Sequence, residues 1–184
     1  MQRKYPFGKK HFLIMLHYTT YQDAYQAQII DLILTIQQKE FQVPITAEEQ
    51  PDLKIIPDVY QQGGGNFWLA LYDDKVVGTI ALIDAGVGVG ALRKMFIHKD
   101  FRSKYGIAQQ LLDTLLDYAT NHGIHTVCLG TIERLVAARR FYARNGFELI
   151  LKENLPSQFP IMAVDTLFYQ WKKGVAEIST LPTP

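Results

Sequence analysis

Residues 91–121 read ALRKMFIHKDFRSKYGIAQQLLDTLLDYATN, an apolar strand that passes through a glycine-bearing turn straight into a helix. The strand is expected over roughly Val89 to His98. The helix is expected from about Lys104 to Asn121, because Ile107, Leu111, Leu112, Leu115, Leu116 and Ala119 recur at helical spacing. A strand-to-helix turn of this kind leaves unpaired N–H groups at the positive end of the helix dipole, a setting suited to a phosphate or pyrophosphate. Gly106 lets the backbone come close to such an anion, Ala108 keeps the first turn uncrowded, and Arg102 and Lys104 add positive charge. A glycine at such a turn also serves simply to fit the turn, so the neighbouring segments decide between the two readings.

Working outward, His11 to Tyr18 suits a strand, and Thr20 with Asp23 three residues on has the spacing of a capping box. Tyr25, Ile29, Leu32, Ile33 and Ile36 form one helical stripe, with Pro44 beyond its end, and a second short helix is expected from Asp52 to about Gln61. After Gly63, Gly64 and Gly65 come the strands Phe67 to Tyr72 and Val76 to Asp84, joined by a tight turn at Asp73 and Asp74. Downstream of the central helix lie a strand His125 to Gly130, a helix from about Arg134 to Asn145, and strands Phe147 to Leu151 and Ala163 to Trp171. This order predicts an α/β sandwich, a mostly antiparallel mixed sheet of about seven strands with four helices and one strand–helix–strand crossover in the middle. One domain is expected over residues 11–173, with a flexible N-terminal extension over 1–10 and a disordered tail over 174–184.

Composition narrows the function. Lys plus Arg (19) nearly cancels Asp plus Glu (18), so no summed field draws the chain to nucleic acid or an acidic membrane. No stretch approaches membrane-spanning length. Cys128 is the single cysteine, which excludes an intrachain disulfide framework or a cysteine-rich zinc site and fits a reducing, cytoplasmic setting. Two other patterns are set aside. GVGVG, Gly86 to Gly90, is followed by a strand and not a helix, so it reads as a hairpin turn and not a dinucleotide fingerprint. His122 and His125 have no third ligand nearby, and no metal is expected.

The segment FRSKYGIAQQLL, Phe101 to Leu112, resembles the signature of the GNAT superfamily of N-acetyltransferases: Arg or Gln, two residues, Gly, one residue, then Gly or Ala. Gly106 and Ala108 fit. Ser103 falls in the first place, with Arg102 one residue early, so either the loop is slightly lengthened or it binds with serine there. FYARNGFELI resembles the second half-signature, a helix ending in an aromatic pair, a basic residue and Gly-Phe that starts the next strand. The match runs from Phe67 to Trp171 in the family's own order.

The resemblance implies acetyl-CoA as co-substrate. Its pyrophosphate would lie over Arg102, Ser103, Lys104, Tyr105, Gly106, Ile107 and Ala108, with Arg144 within reach, and its amide-bearing arm would pair with Met95, Phe96 and Ile97 as an added strand does. It implies direct attack of an amine on the thioester, with Tyr142 protonating the departing sulfur as general acid. Glu133 is the first candidate for general base, with Asp84 and His98 behind it. The acceptor, a small-molecule or peptide amine, would enter over Phe41 to Gln61 and Lys152 to Pro160, which contain Glu48, Glu49, Asp52, Glu153, Tyr60 and Phe159. Exposed late strands that can pair between subunits make a homodimer an expectation. The alternative is an acyl-CoA-binding sensor module of the same fold without turnover; a nucleotide-binding oxidoreductase is a third reading.

Overall fold

The computed structural model describes residues 16–174. The extension expected over 1–10, residues 11–15 of the first expected strand, and the tail beyond Gly174 lie outside the described residues.

Seven strands form one sheet in the order β1-β2-β3-β4-β5-β7-β6. They are β1 Leu16–Thr20, β2 Asn66–Tyr72, β3 Lys75–Gly86, β4 Val89–Ile97, β5 Thr126–Thr131, β6 Glu148–Ile150 and β7 Leu167–Lys172. The helices are α1 Gln26–Leu34, α2 Ile56–Tyr60, α3 Ile107–Asn121 and α4 Val136–Arg144. Every pairing is antiparallel except β4 with β5, which the α3 crossover makes parallel. The expected mixed sheet with four helices is therefore observed. Among the described residues no helix is long and apolar enough to cross a membrane.

The sheet carries a core on each face. On one side α1 lays Ile29, Leu32 and Ile33, and the turn beyond it Ile36, against Phe67, Leu69 and Leu71 of β2, with Leu53, Ile56 and Tyr60 from the α2 region. Each such aliphatic side chain contributes roughly 1.5–3 kcal/mol by leaving water. On the other side α3 and α4 bury Ile107, Leu111, Leu112, Leu115 and Tyr142 against Ile80, Leu82, Leu92 and Ile97.

Several boundaries differ from the sequence expectation, each for a physical reason. Thr20 belongs to β1, paired with Trp68, so no capping box forms there; Gln22 precedes a 3-10 turn at Asp23–Tyr25 and makes no side-chain cap. Past Leu34 the helix widens over Thr35–Glu40, where Phe41 N–H reaches back to the Ile36 carbonyl. The second helix is split, a 3-10 turn at Pro51–Lys54 followed by α2. Helix α3 begins at Ile107, three residues later than expected at Lys104, because Ser103, Tyr105 and Gly106 all take positive φ. Strand β7 begins at Leu167 and not Ala163, since Asp165 is drawn into a turn with Met162. GVGVG is the expected hairpin turn between β3 and β4.

What brings α3 down onto the sheet is an absence of side chain. A Cβ on Gly78 would lie 3.0–3.1 Å from Ile97, Ile107 and Leu111. Gly78→Ala should therefore overpack the α3 interface and cost about 1–3 kcal/mol, read as a lower urea midpoint at unchanged slope; an unchanged midpoint would show that α3 is free to move away.

Candidate active site

Parallel pairing between β4 and β5 is short. Val89, Gly90 and Ala91 face Thr126, Val127 and Cys128, and no pairing follows. Beyond it, β5 stays with β7 as far as Thr131, while β4 stays with β3 through Ile97. The two strands thus part at their carboxyl ends and leave the outer backbone edge of Met95, Phe96 and Ile97 facing a cleft, where open sheets commonly take ligands.

A bulge shapes the same stretch. Thr79 faces Phe96 and Ala81 faces Arg93, so Lys94 and Met95 together oppose Ile80. Lys94 has φ of 50°, and the buried Thr79 hydroxyl donates to its carbonyl at 2.6 Å, fixing the distorted backbone. The extra residue turns two successive side chains to one face: Lys94 meets Asp52, and Arg93 meets Phe159 and Asp165. Met95 then points to the other face, toward α4.

Tyr142 waits there. Its hydroxyl donates to Met95 Sδ at 3.4 Å, and its ring packs on Phe147 and Tyr169. Burial pushes the phenol well above the ordinary tyrosine value. Two local features place it: α4 ends at Asn145 and Gly146, where Gly146 has φ of 78°, and Phe147 N–H closes back onto the Tyr142 carbonyl at 3.1 Å.

At the other end of the cleft lies a cavity of about 370 Å³, lined by Ser103, Lys104, Gly106, Ile107, Ala108 and Gln109 with Phe141, Arg144 and Asn145 of the α4 end. Gly106 is the N-cap of α3, has φ of 65° and offers no side-chain cap, so the first N–H groups of α3 are left to a ligand. Gln109 donates to Asn145 at 2.7 Å and holds the two helix ends together. The site thus combines a helix start without a side-chain cap, a strand edge and a buried phenol.

Other candidates sit elsewhere. Arg102 turns toward α1: its Nε donates to the Ile97 carbonyl at 2.9 Å and its Nη2 lies 2.6 Å from Glu40. Tyr105 is exposed, and its ring lies tilted against Tyr72 and Phe101. Glu133 is exposed just past the end of β5; its backbone carbonyl accepts from Arg139. Asp84 accepts from the N–H groups of Gly64 and Gly86, at the hairpin end of β3 and away from the parted strands. His98 accepts from Asp100 N–H and caps the turn after β4. His122 stacks on Tyr118, and His125 hydrogen-bonds Thr126.

Sequence reasoning missed Arg93 and Lys94. The signal was present in the adjacent cations of LRKM, since a strand buried on both faces has no place for two unless the alternation slips.

The model of the acetyltransferase (GNAT) family matches residues 30–147. The chain belongs to the acetyltransferase (GNAT) family. Among solved structures, a GNAT-family acetyltransferase from Staphylococcus aureus Mu50 is 38% identical, with a TM-score of 0.82 over 86% of this chain and 99% of that one. The PaiA N-acetyltransferase of Thermoplasma acidophilum, solved in complex with coenzyme A, is 14% identical and shares the fold at a TM-score of 0.66, over 87% of this chain and 100% of that one. Among curated relatives, the probable N-acetyltransferase camello of Xenopus tropicalis is 36% identical over 94 residues, 50% of this chain and 42% of that protein. Human N-acetylaspartate synthetase is 35% identical over 98 residues, 52% of this chain and 32% of that protein. The chain thus spans less than half the length of these curated relatives.

The geometry separates the basic residues of this GNAT loop. Arg102→Ala should cost at most about 1 kcal/mol of stability, since its ion pair is partly exposed. It should leave coenzyme A affinity, read by calorimetry, within about twofold. Lys104→Ala or Arg144→Ala should weaken that affinity about three- to tenfold; the reverse order would place Arg102 on the phosphates.

Proposed function

We propose that this protein transfers an acetyl group from acetyl-CoA to a primary amine by direct attack, with Tyr142 as the general acid. The observation that carries this reading is the position of the Tyr142 hydroxyl, donating to a sulfur atom beside the edge of β4 where β4 and β5 have parted. A thioester arm laid along Met95, Phe96 and Ile97 would bring its own sulfur to that neighbourhood.

Acetyl-CoA supplies the activated acetyl group; the residues around it bind and move protons. The first-turn N–H groups of Ile107, Ala108 and Gln109, with Lys104 and Arg144, support a pyrophosphate. Ser103 can add a hydroxyl donor there. Backbone groups of Met95, Phe96 and Ile97 can pair with the amides of the arm. Tyr142 gives its proton to the sulfur as the carbon–sulfur bond breaks. Of the carboxylates considered as base, Asp84 is already held by two backbone N–H groups, whereas the Glu133 carboxylate has no hydrogen-bonded partner among the described residues. We therefore take Glu133 as the base that removes a proton from the acceptor ammonium, so that the neutral amine attacks the thioester carbon.

Tyr142→Phe should lower thiol release from acetyl-CoA about a hundredfold. The fold should persist and coenzyme A affinity should stay within about twofold. Unchanged turnover would remove the acid role. Acetyl-CoA binding without thiol release for any amine would indicate a sensor module of the same fold, and preferential binding of NAD would indicate an oxidoreductase. Because the folded-state pKa of Tyr142 is raised, its donor form persists through the ordinary tyrosine value; kcat should show no descending limb up to about pH 10. A limb near pH 8 that vanishes in Tyr142→Phe would contradict this.

A further inference from the structure

We propose that the amine acceptor also carries a carboxylate, held by Arg93 and Lys94 at the β4 bulge. This rests on the acetyltransferase reading above and names the class of its second substrate.

The bulge is the only reason two neighbouring cations share a face of a buried strand. Their side chains are 10% and 12% exposed, and each reaches one of the two segments expected to form the acceptor side. Arg93 lies under the Phe159 ring, 5.1 Å from its centroid, and donates to the Pro160 carbonyl. Lys94 lies 3.0 Å from Asp52 and donates to Gln50 at 2.9 Å. Together the pair fixes the floor on which both segments rest.

That floor is rich in donors. A guanidinium has five N–H groups and an ammonium three. The two carboxylates that answer them are shared: Asp52 Oδ2 also accepts from Tyr60 at 2.5 Å, and Asp165 Oδ2 also accepts from Met162 N–H at 3.3 Å. With the Gln50 side-chain oxygen and the Pro160 carbonyl, these contacts engage two of the five N–H groups of Arg93 and two of the three of Lys94. Burial pushes the Asp165 carboxyl up and Lys94 down, with Arg93 adding to the Lys94 shift, while the ion-pair partners Arg93 and Asp52 oppose these shifts. A carboxylate approaching here would supply two further oxygens and oppose the repulsion between the cations. Asp52, the most open member at 25%, uses only Oδ2 among the described residues and leaves Oδ1 for the ammonium of the same molecule. A purely cationic acceptor, such as a polyamine, would bring no oxygens for the remaining N–H groups of Arg93 and Lys94.

The test compares matched acceptors on the wild-type protein: glycine with glycinamide, β-alanine with 3-aminopropanamide, and spermidine, each followed by thiol release from acetyl-CoA. The acids should exceed their amides at least about tenfold in kcat/KM, the size of one good charge-assisted contact. In Lys94→Met this acid-to-amide ratio should collapse toward one, a pattern that general loosening, which lowers acid and amide alike, would not give. Equal kcat/KM for acid and amide, or a preference for spermidine, overturns the proposal. A second arm needs no turnover: coenzyme A-loaded protein titrated with N-acetylglycine and with its amide should prefer the acid. If no amine releases thiol, the acetyltransferase reading fails; the titration still decides the carboxylate, and equal affinities overturn it.

Discussion

Parallel pairing of β4 with β5 ends at Ala91 and Cys128, and the geometry of the site follows from that parting. A strand edge released from its neighbour must have its backbone polar groups met by something else. The bulge opposite Ile80 comes at the point of release and sorts the side chains: Arg93 and Lys94 to the α1 and α2 face, Met95 to the α3 and α4 face. One irregularity in one strand therefore divides the side of Arg93 and Lys94 from the side that holds the phenol of Tyr142. The strain at Lys94 is held by Thr79 from β3 and by the Asp52 network from beyond the sheet.

The second constraint is the closeness of α3 to β3. Gly78 has no Cβ to keep Ile107 and Leu111 away, so the helix start is seated firmly on the sheet while its N–H groups face the cavity. Gln109 then ties this start to Asn145 at the end of α4, which fixes the loop before α3 relative to Tyr142 three residues earlier in the chain. The proposed cofactor loop and the proposed acid are positioned by the same two helix ends.

Much of this was legible in the sequence because it is local. The strand–turn–helix of residues 91–121, the stop at Asn145 and Gly146, and the stripe of Ile29, Leu32, Ile33 and Ile36 depend on residues near each other in the chain. What was not legible depends on distant partners. Arg102 fits a phosphate by its place in the loop, yet its guanidinium finds Glu40 from α1's extension. Thr20 has the spacing of a helix cap, yet Trp68 claims it for the sheet. Asp84 and His98 are titratable groups near the central strands, but backbone N–H groups at the β3 end and in the turn after β4 occupy them. Lys94 and Asp52 lie far apart in sequence, so their pairing could not be read from it.

In the proposed complex a ligand of the acetyl-CoA class enters between the parted strands and rests its phosphates on α3. Amide hydrogen exchange with and without acetyl-CoA tests it directly. Protection should rise at Met95 to Ile97 and at Gly106 to Gln109, and stay unchanged in the Gly86 to Gly90 hairpin. Protection confined to that hairpin, or none at β4 while acetyl-CoA is bound, would contradict it.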